Sequence, residues 1–134
     1  MAAEWLSPYQ LTLLALGLSA LLFVLQILVV DLAGIRAKHK PGHPVAPDGS
    51  FHFRASRAHA NTNESYGLFL ALVVFGIAVQ AQPAWLNGAA LVYLLGRLGH
   101  MLCYYANLGL ARSIAFGVAL VGLIGMLATG LLAL

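Results

Sequence analysis

Apolar positions along this chain gather into four long runs, Leu11 to Leu32, Ser65 to Ala81, Trp85 to Tyr105 and Ile114 to Leu134. Each holds about 17–22 residues, enough for a helix to cross a hydrocarbon core of about 30 Å. The pattern predicts helices over about 9–33, 55–81, 85–106 and 112–133. The second run is the shortest, and its helix is expected to extend back through Arg57 into water. Between the first two runs, Pro41-Gly-His-Pro-Val-Ala-Pro-Asp-Gly49 carries three prolines and two glycines and reads as a loop. The other connections, Gln80 to Ala84 and Ala106 to Leu110, are short, so successive helices should run antiparallel. The expected fold is all-α and integral to the membrane: a four-transmembrane-helix antiparallel bundle, one domain over residues 1–134.

Composition agrees with that pattern. Of 134 residues, 61% are hydrophobic and 8% charged, against about a quarter charged in soluble domains. The placement of charge adds an orientation. All seven cations, Arg36, Lys38, Lys40, Arg54, Arg57, Arg97 and Arg112, lie in the first and third connections or in the helix ends beside them. The positive-inside rule then puts those connections in the cytoplasm and both termini outside. The start, Met-Ala-Ala-Glu-Trp, lacks a positive n-region, and the run after it is too long for a signal-peptide core, so a retained helix is expected. Compact loops and an alanine-rich bias suit a bacterial cytoplasmic membrane. The single Cys103 excludes an intramolecular disulfide. With a formal charge of +3 and no nucleic-acid motif, lipid headgroups or an anionic ligand are the expected partners.

Polar residues inside the apolar runs are the candidate chemistry. Arg97, His100 and Tyr104 are spaced i, i+3, i+7, so they share one helix face within about 60°. An Arg near the middle of a span costs about 2.5–3.5 kcal/mol on insertion scales, less if it snorkels, and therefore needs a partner in the bundle. Arg57, Asn61 and Glu64 form a second stripe on the preceding helix, and an ion pair between Glu64 and Arg97 is the simplest match. Such a pair could only fix helix register. Against that, the stripes hold more polar groups than one pair requires. Arg112-Ser113 at the opening of the fourth helix could be an interfacial anchor and an N-terminal cap. What raises both is convergence: Arg36, Arg57, Arg97 and Arg112 all reach the cytoplasmic half, where two helix N-termini add positive dipole ends and carboxylates are few. A ligand with more than one carboxylate fits that imbalance.

Other features read as structure. His39, His43, His52 and His59 lack the spacing of a zinc site, and no metal is expected. Cys103 reads as packing, although a nearby Arg could lower its pKa. Trp5, Tyr9 and Trp85 look like belt residues at the outer interface. Gly117, Gly122, Gly125 and Gly130, with Ala119 and Ala128, suit close approach between helices. So small a bundle buries little surface, which makes a homo-oligomer a reasonable expectation.

The segment Arg57-Ala-His-Ala-Asn61-Thr-Asn-Glu64 resembles the Arg-Ala-x-x-Asn-x-x-Glu signature of the MAPEG family, the membrane-associated proteins of eicosanoid and glutathione metabolism. Gly96-Arg-Leu-Gly-His100-Met-Leu-Cys-Tyr104 followed by Arg112-Ser113 looks most like the microsomal prostaglandin E synthase and glutathione transferase branch. The likeness runs over nearly the whole chain. It implies a homotrimer of four-helix bundles with glutathione bound between subunits near the cytoplasmic face. By the same resemblance, Arg36, Arg57, Asn61, Glu64, Arg97, His100 and Tyr104 bind glutathione, with Glu64 meeting its amino group. Arg112 then stabilises the thiolate and Ser113 hydrogen-bonds the sulfur. Relative to the prostaglandin synthase branch, Arg112 follows a one-residue gap, Ala60 replaces a second arginine, and Phe116 replaces a tyrosine. Those changes weaken prostaglandin isomerisation while leaving glutathione binding.

A free thiol has a pKa of about 8.5, so a guanidinium in a low-dielectric pocket would raise the thiolate fraction. The expected activity is a membrane-embedded, glutathione-dependent transferase or peroxidase acting on lipophilic electrophiles or hydroperoxides that arrive through the bilayer. The rival is a non-catalytic lipid-binding scaffold of the same fold. A small transporter fits least, because no acidic relay crosses the pattern.

Overall fold

The computed structural model describes residues 4–134. A short 3-10 segment, Glu4–Tyr9, leads into α1 (Gln10–Arg36), followed by α2 (Phe51–Ala78), α3 (Pro83–Tyr105) and α4 (Gly109–Leu131). The described residues contain four long helices and no strand.

Local chemistry sets the helix ends. The Ser50 hydroxyl accepts the Phe53 amide at 3.1 Å, so α2 starts at Phe51, a full turn before the expected 55. Ser50 in turn donates to Asp48, and these bonds, the hydroxyl first and the amide second, hold the Asp48 carboxyl below its usual value. Three helices stop in the same way. Lys38, Gln80 and Asn107 take left-handed backbone with φ of 54°, 53° and 60°. The next amide then reaches back five residues in each case: His39 to Gly34, Ala81 to Gly76 and Leu108 to Cys103, at 2.8–2.9 Å. The third of these stops leaves only 106–108 as a connection. α4 therefore begins at Gly109, and Arg112-Ser113 lies inside its first turns instead of opening it.

Packing is tightest between α3 and α4. Gly96 lies directly against the backbone of Ala119, and a Cβ on Gly122 would come within 2.5 Å of the Tyr93 amide nitrogen. Two bare glycines let these backbones touch, as small residues do between membrane helices. Gly96 was not among the residues expected to do this. Gly125 approaches Ala89 and Gly130 approaches Phe75, whereas Gly117 meets nothing within 4 Å and Ala128 is exposed. The core beneath comprises Phe69, Leu72, Val73, Leu86, Ala90, Tyr93, Leu123 and Met126, with Phe69 and Tyr93 stacked at 4.1 Å.

At the opposite end from the cations, Tyr9 departs from its expected place in an interfacial belt. It is buried, and its hydroxyl donates to the Ala81 carbonyl at 2.8 Å. Asn87 accepts from the Thr12 amide and hydroxyl and donates to the Pro8 carbonyl, so this end of α1 is pinned to α3 by polar bonds. Trp5 and Trp85 stay exposed.

The outer faces of α1 and α4 are apolar: Leu14, Leu21, Val24, Leu28 and Leu32 on one, Val121, Ile124 and Leu131 on the other. The stretches Glu4–Arg36 and Gly109–Leu131 are long and apolar enough to cross a membrane. α2 and α3 match them in length but are interrupted by Asn61, Asn63 and Glu64, and by Asn87, Arg97 and His100. Those interruptions are where the chemistry lies.

Candidate functional site

Arg97 sits at the centre. It is 1% exposed, held on α3 against the α2 face that carries Asn61 and Thr62. Its Nη1 donates to Asn61 Oδ1 and its Nη2 to Thr62 Oγ1, both at 2.9 Å. The expected ion pair with Glu64 does not form. Glu64 instead accepts from Asn61 Nδ2 at 3.4 Å, so a neutral amide stands between the guanidinium and the carboxylate. The reason is register: residues 61 and 62 lie level with Arg97, while Glu64 lies further along α2 on its exposed side. Thr62, 2% exposed, was missed by the sequence reading. The i, i+4, i+7 stripe drew attention to one face of α2, and Thr62 is on the inner neighbour of that face.

A ladder of contacts climbs from Arg97 to the cationic end. Nη2 of Arg97 lies 3.4 Å from Nδ1 of His100. An arginine can only donate, so Nδ1 accepts, and the neutral ring carries its proton on Nε2. His100 meets Tyr104 edge-on at 5.0 Å and Phe116 at 6.1 Å. Arg112 lies over the Tyr104 ring at 4.4 Å, a cation–π contact across α3 and α4. Arg112, Tyr104, His100, Arg97, Asn61 and Glu64 thus form one continuous series through three helices.

Three of the expected residues stand apart from it. Ser113 is exposed, and its hydroxyl donates to the Gly109 carbonyl at 3.3 Å, the back-bond of an interior helical serine and not a cap. Arg57 is exposed on α2. Arg36, also exposed, lines a separate cavity of about 630 Å³ with Val29, Leu32, Ala33, Phe51 and His52. A smaller cavity of about 210 Å³ lies between α2, α3 and α4, where Asn61, Glu64 and Arg97 face Leu68, Phe116 and Leu120. It therefore joins a polar rim to an apolar wall.

A further arginine proves structural. Arg54 donates to the Tyr104 carbonyl at 3.1 Å, to the Tyr105 carbonyl at 3.5 Å and to the Gly49 carbonyl. It clamps the start of α2 to the C-terminal end of α3, where free carbonyls favour a cation. Among the histidines, His39 Nε2 pairs with the His43 carbonyl at 2.9 Å, and the His39 ring meets His52 edge-on at 4.9 Å. No group of three or more His, Cys, Asp or Glu side chains able to hold a metal occurs among the described residues.

Fold and site together define an all-helical membrane protein with a pocket whose polar rim, Arg97, Asn61 and Glu64, opens beside apolar helix faces. The MAPEG family model matches residues 11–132, and the chain belongs to that family. No curated protein matches it.

Proposed function

We propose that this protein is a glutathione-dependent transferase or peroxidase, with all four helices spanning the membrane, three copies assembled as a homotrimer, and the pocket open to the cytoplasm. Both termini then lie on the outer side, in a bacterial cytoplasmic membrane. The observation that carries the reading is the ladder from Arg112 to Glu64: several cationic or donor groups ending on one accessible carboxylate. Glutathione has complementary chemistry, with two carboxylates, one ammonium and a thiol. Glu64 suits the ammonium. Arg57, His100 through Nε2, and Arg36 from a neighbouring copy suit the carboxylates.

In this reading Arg112 stabilises the sulfur anion. Held by Tyr104 rather than by a carboxylate, its charge is not neutralised by a partner acid and remains available to a thiolate. Ser113 can turn its hydroxyl from the Gly109 carbonyl toward sulfur, since that bond is long and exposed. The thiol proton leaves to water, and the thiolate attacks a molecule delivered from the lipid side. At an electrophilic carbon it forms the thioether as the leaving group departs with the bonding electron pair. At the outer oxygen of a hydroperoxide it breaks the O–O bond, releasing the alcohol and a glutathione sulfenic acid that a second glutathione converts to the disulfide and water. The apolar wall of Leu68, Phe116 and Leu120 gives such a molecule a surface beside the polar rim.

The rival reading is a lipid-binding scaffold without turnover, favoured by Phe116, which cannot hydrogen-bond, and by Ala60. Calorimetry of glutathione binding to detergent-purified protein, beside an Arg57→Ala, Glu64→Gln double variant, separates the two. Saturable binding lost in the variant supports the enzyme. A well-folded wild type that binds lipophiles but no glutathione supports the scaffold.

A further inference from the structure

We infer that Thr62 is a positioning residue, acting through Arg97 and Asn61 to aim the Glu64 carboxylate at the ammonium group of the ligand. The inference rests on the glutathione reading above and adds what makes Glu64 selective. Arg97 is planar and carries only donors, and its two terminal nitrogens are spent on adjacent residues of α2, Asn61 and Thr62. Because Arg97 takes Oδ1 of Asn61, the amide has one orientation left, with Nδ2 turned toward Glu64. The amide cannot flip without setting a donor against the guanidinium.

Thr62 fixes the other prong. It is 2% exposed beside a guanidinium that is 1% exposed, so no bulk water replaces it if its hydroxyl is removed. Without that acceptor Nη2 is left with the longer contact to His100 Nδ1 at 3.4 Å, so the fork is drawn toward α3 and the order it imposes on Asn61 weakens. A direct Arg97–Glu64 pair would spend the carboxylate on the protein's own cation. The intervening amide orients Glu64 while leaving its charge for a cation from outside, and Glu64 is exposed to receive one.

Thr62→Val keeps shape and removes the acceptor, while Thr62→Ser keeps the acceptor. The probes are glutathione and its analogue lacking the α-amino group, glutaryl-cysteinyl-glycine, each titrated calorimetrically. In wild type, glutathione should bind about tenfold or more tighter than the analogue, the usual scale for a hydrogen bond to a charged group. Thr62→Val should lose most of that preference by weakening glutathione alone, and Thr62→Ser should restore it. Equal weakening of both ligands would reduce Thr62 to a packing residue and overturn the inference. So would an unchanged preference in Thr62→Val while Glu64→Gln abolishes it. If Thr62→Val does not fold, Thr62→Ala, which also removes the acceptor, takes its place: loss of preference is again expected, and a wild-type preference overturns the inference. Absence of glutathione binding in folded wild type overturns the functional reading itself, a result distinct from each of these.

Discussion

Arg97 and Arg112 stand on neighbouring helices about two turns apart in depth, and they are held by opposite means. Arg97 is enclosed, with both terminal nitrogens on hydrogen-bond acceptors from α2. Arg112 is half-buried and rests on an aromatic face. A guanidinium whose terminal nitrogens are hydrogen-bonded in a dry interior has little freedom to move, so it organises its surroundings. A guanidinium on a ring keeps its donors free, so it can meet something from outside. The difference separates a residue that builds the pocket from one that can act in it.

Breaking the first of the pair should have the largest effect. Arg97→Ala would leave Thr62 without its partner inside the bundle and Asn61 without its restraint, at a cost of about 1–3 kcal/mol for each polar group left unpaired. The expected result is loss of folded protein, or a strongly lowered melting temperature in detergent. A variant that melts like wild type would show the buried fork to be dispensable.

Arg112→Ala tests the other half. It should leave the melting temperature nearly unchanged and glutathione affinity within about threefold of wild type. Turnover should fall about a hundredfold, some 2.7 kcal/mol of transition-state stabilisation. Steady-state kinetics set beside calorimetry checks this, and equal losses in affinity and turnover would contradict an activating role.

Arg54→Ala sharpens the contrast at its weak end. Arg54 is a structural arginine like Arg97, but its partners are carbonyls at a helix end within reach of water. Its loss should cost only about 1 kcal/mol, read as a small downward shift in melting temperature with ligand affinity preserved. A loss as large as that of Arg97 would mean that burial does not set the ranking.

Much of the frame was legible in the residues themselves. Four apolar runs of about 17–22 residues, separated by a Pro- and Gly-rich loop and two short turns, leave few alternatives to four antiparallel helices, and the two polar stripes follow from helical spacing alone. Helix starts were less legible, because the capping chemistry of Ser50 and the left-handed turn at Asn107 shift them by about a turn. Tyr9 was misplaced because an aromatic beside a polar flank looks the same whether it faces lipid or a neighbouring helix end.

The choice of Thr62 and Asn61 over Glu64 as partners of Arg97 lay wholly in the tertiary structure. Periodicity states which side chains share a face of one helix. It says nothing about how far that helix slides along its neighbour, and at 1.5 Å per residue a slide of two or three positions changes every partner. That depth is set where α2 meets α3, at Gly76 against the Leu86 side chain, at Phe69 stacked on Tyr93, and where Ser65 meets the Tyr93 hydroxyl at 3.0 Å. The sequence by itself determined that a buried arginine must be satisfied; the register of α2 against α3, a property of packed surfaces, decided by what.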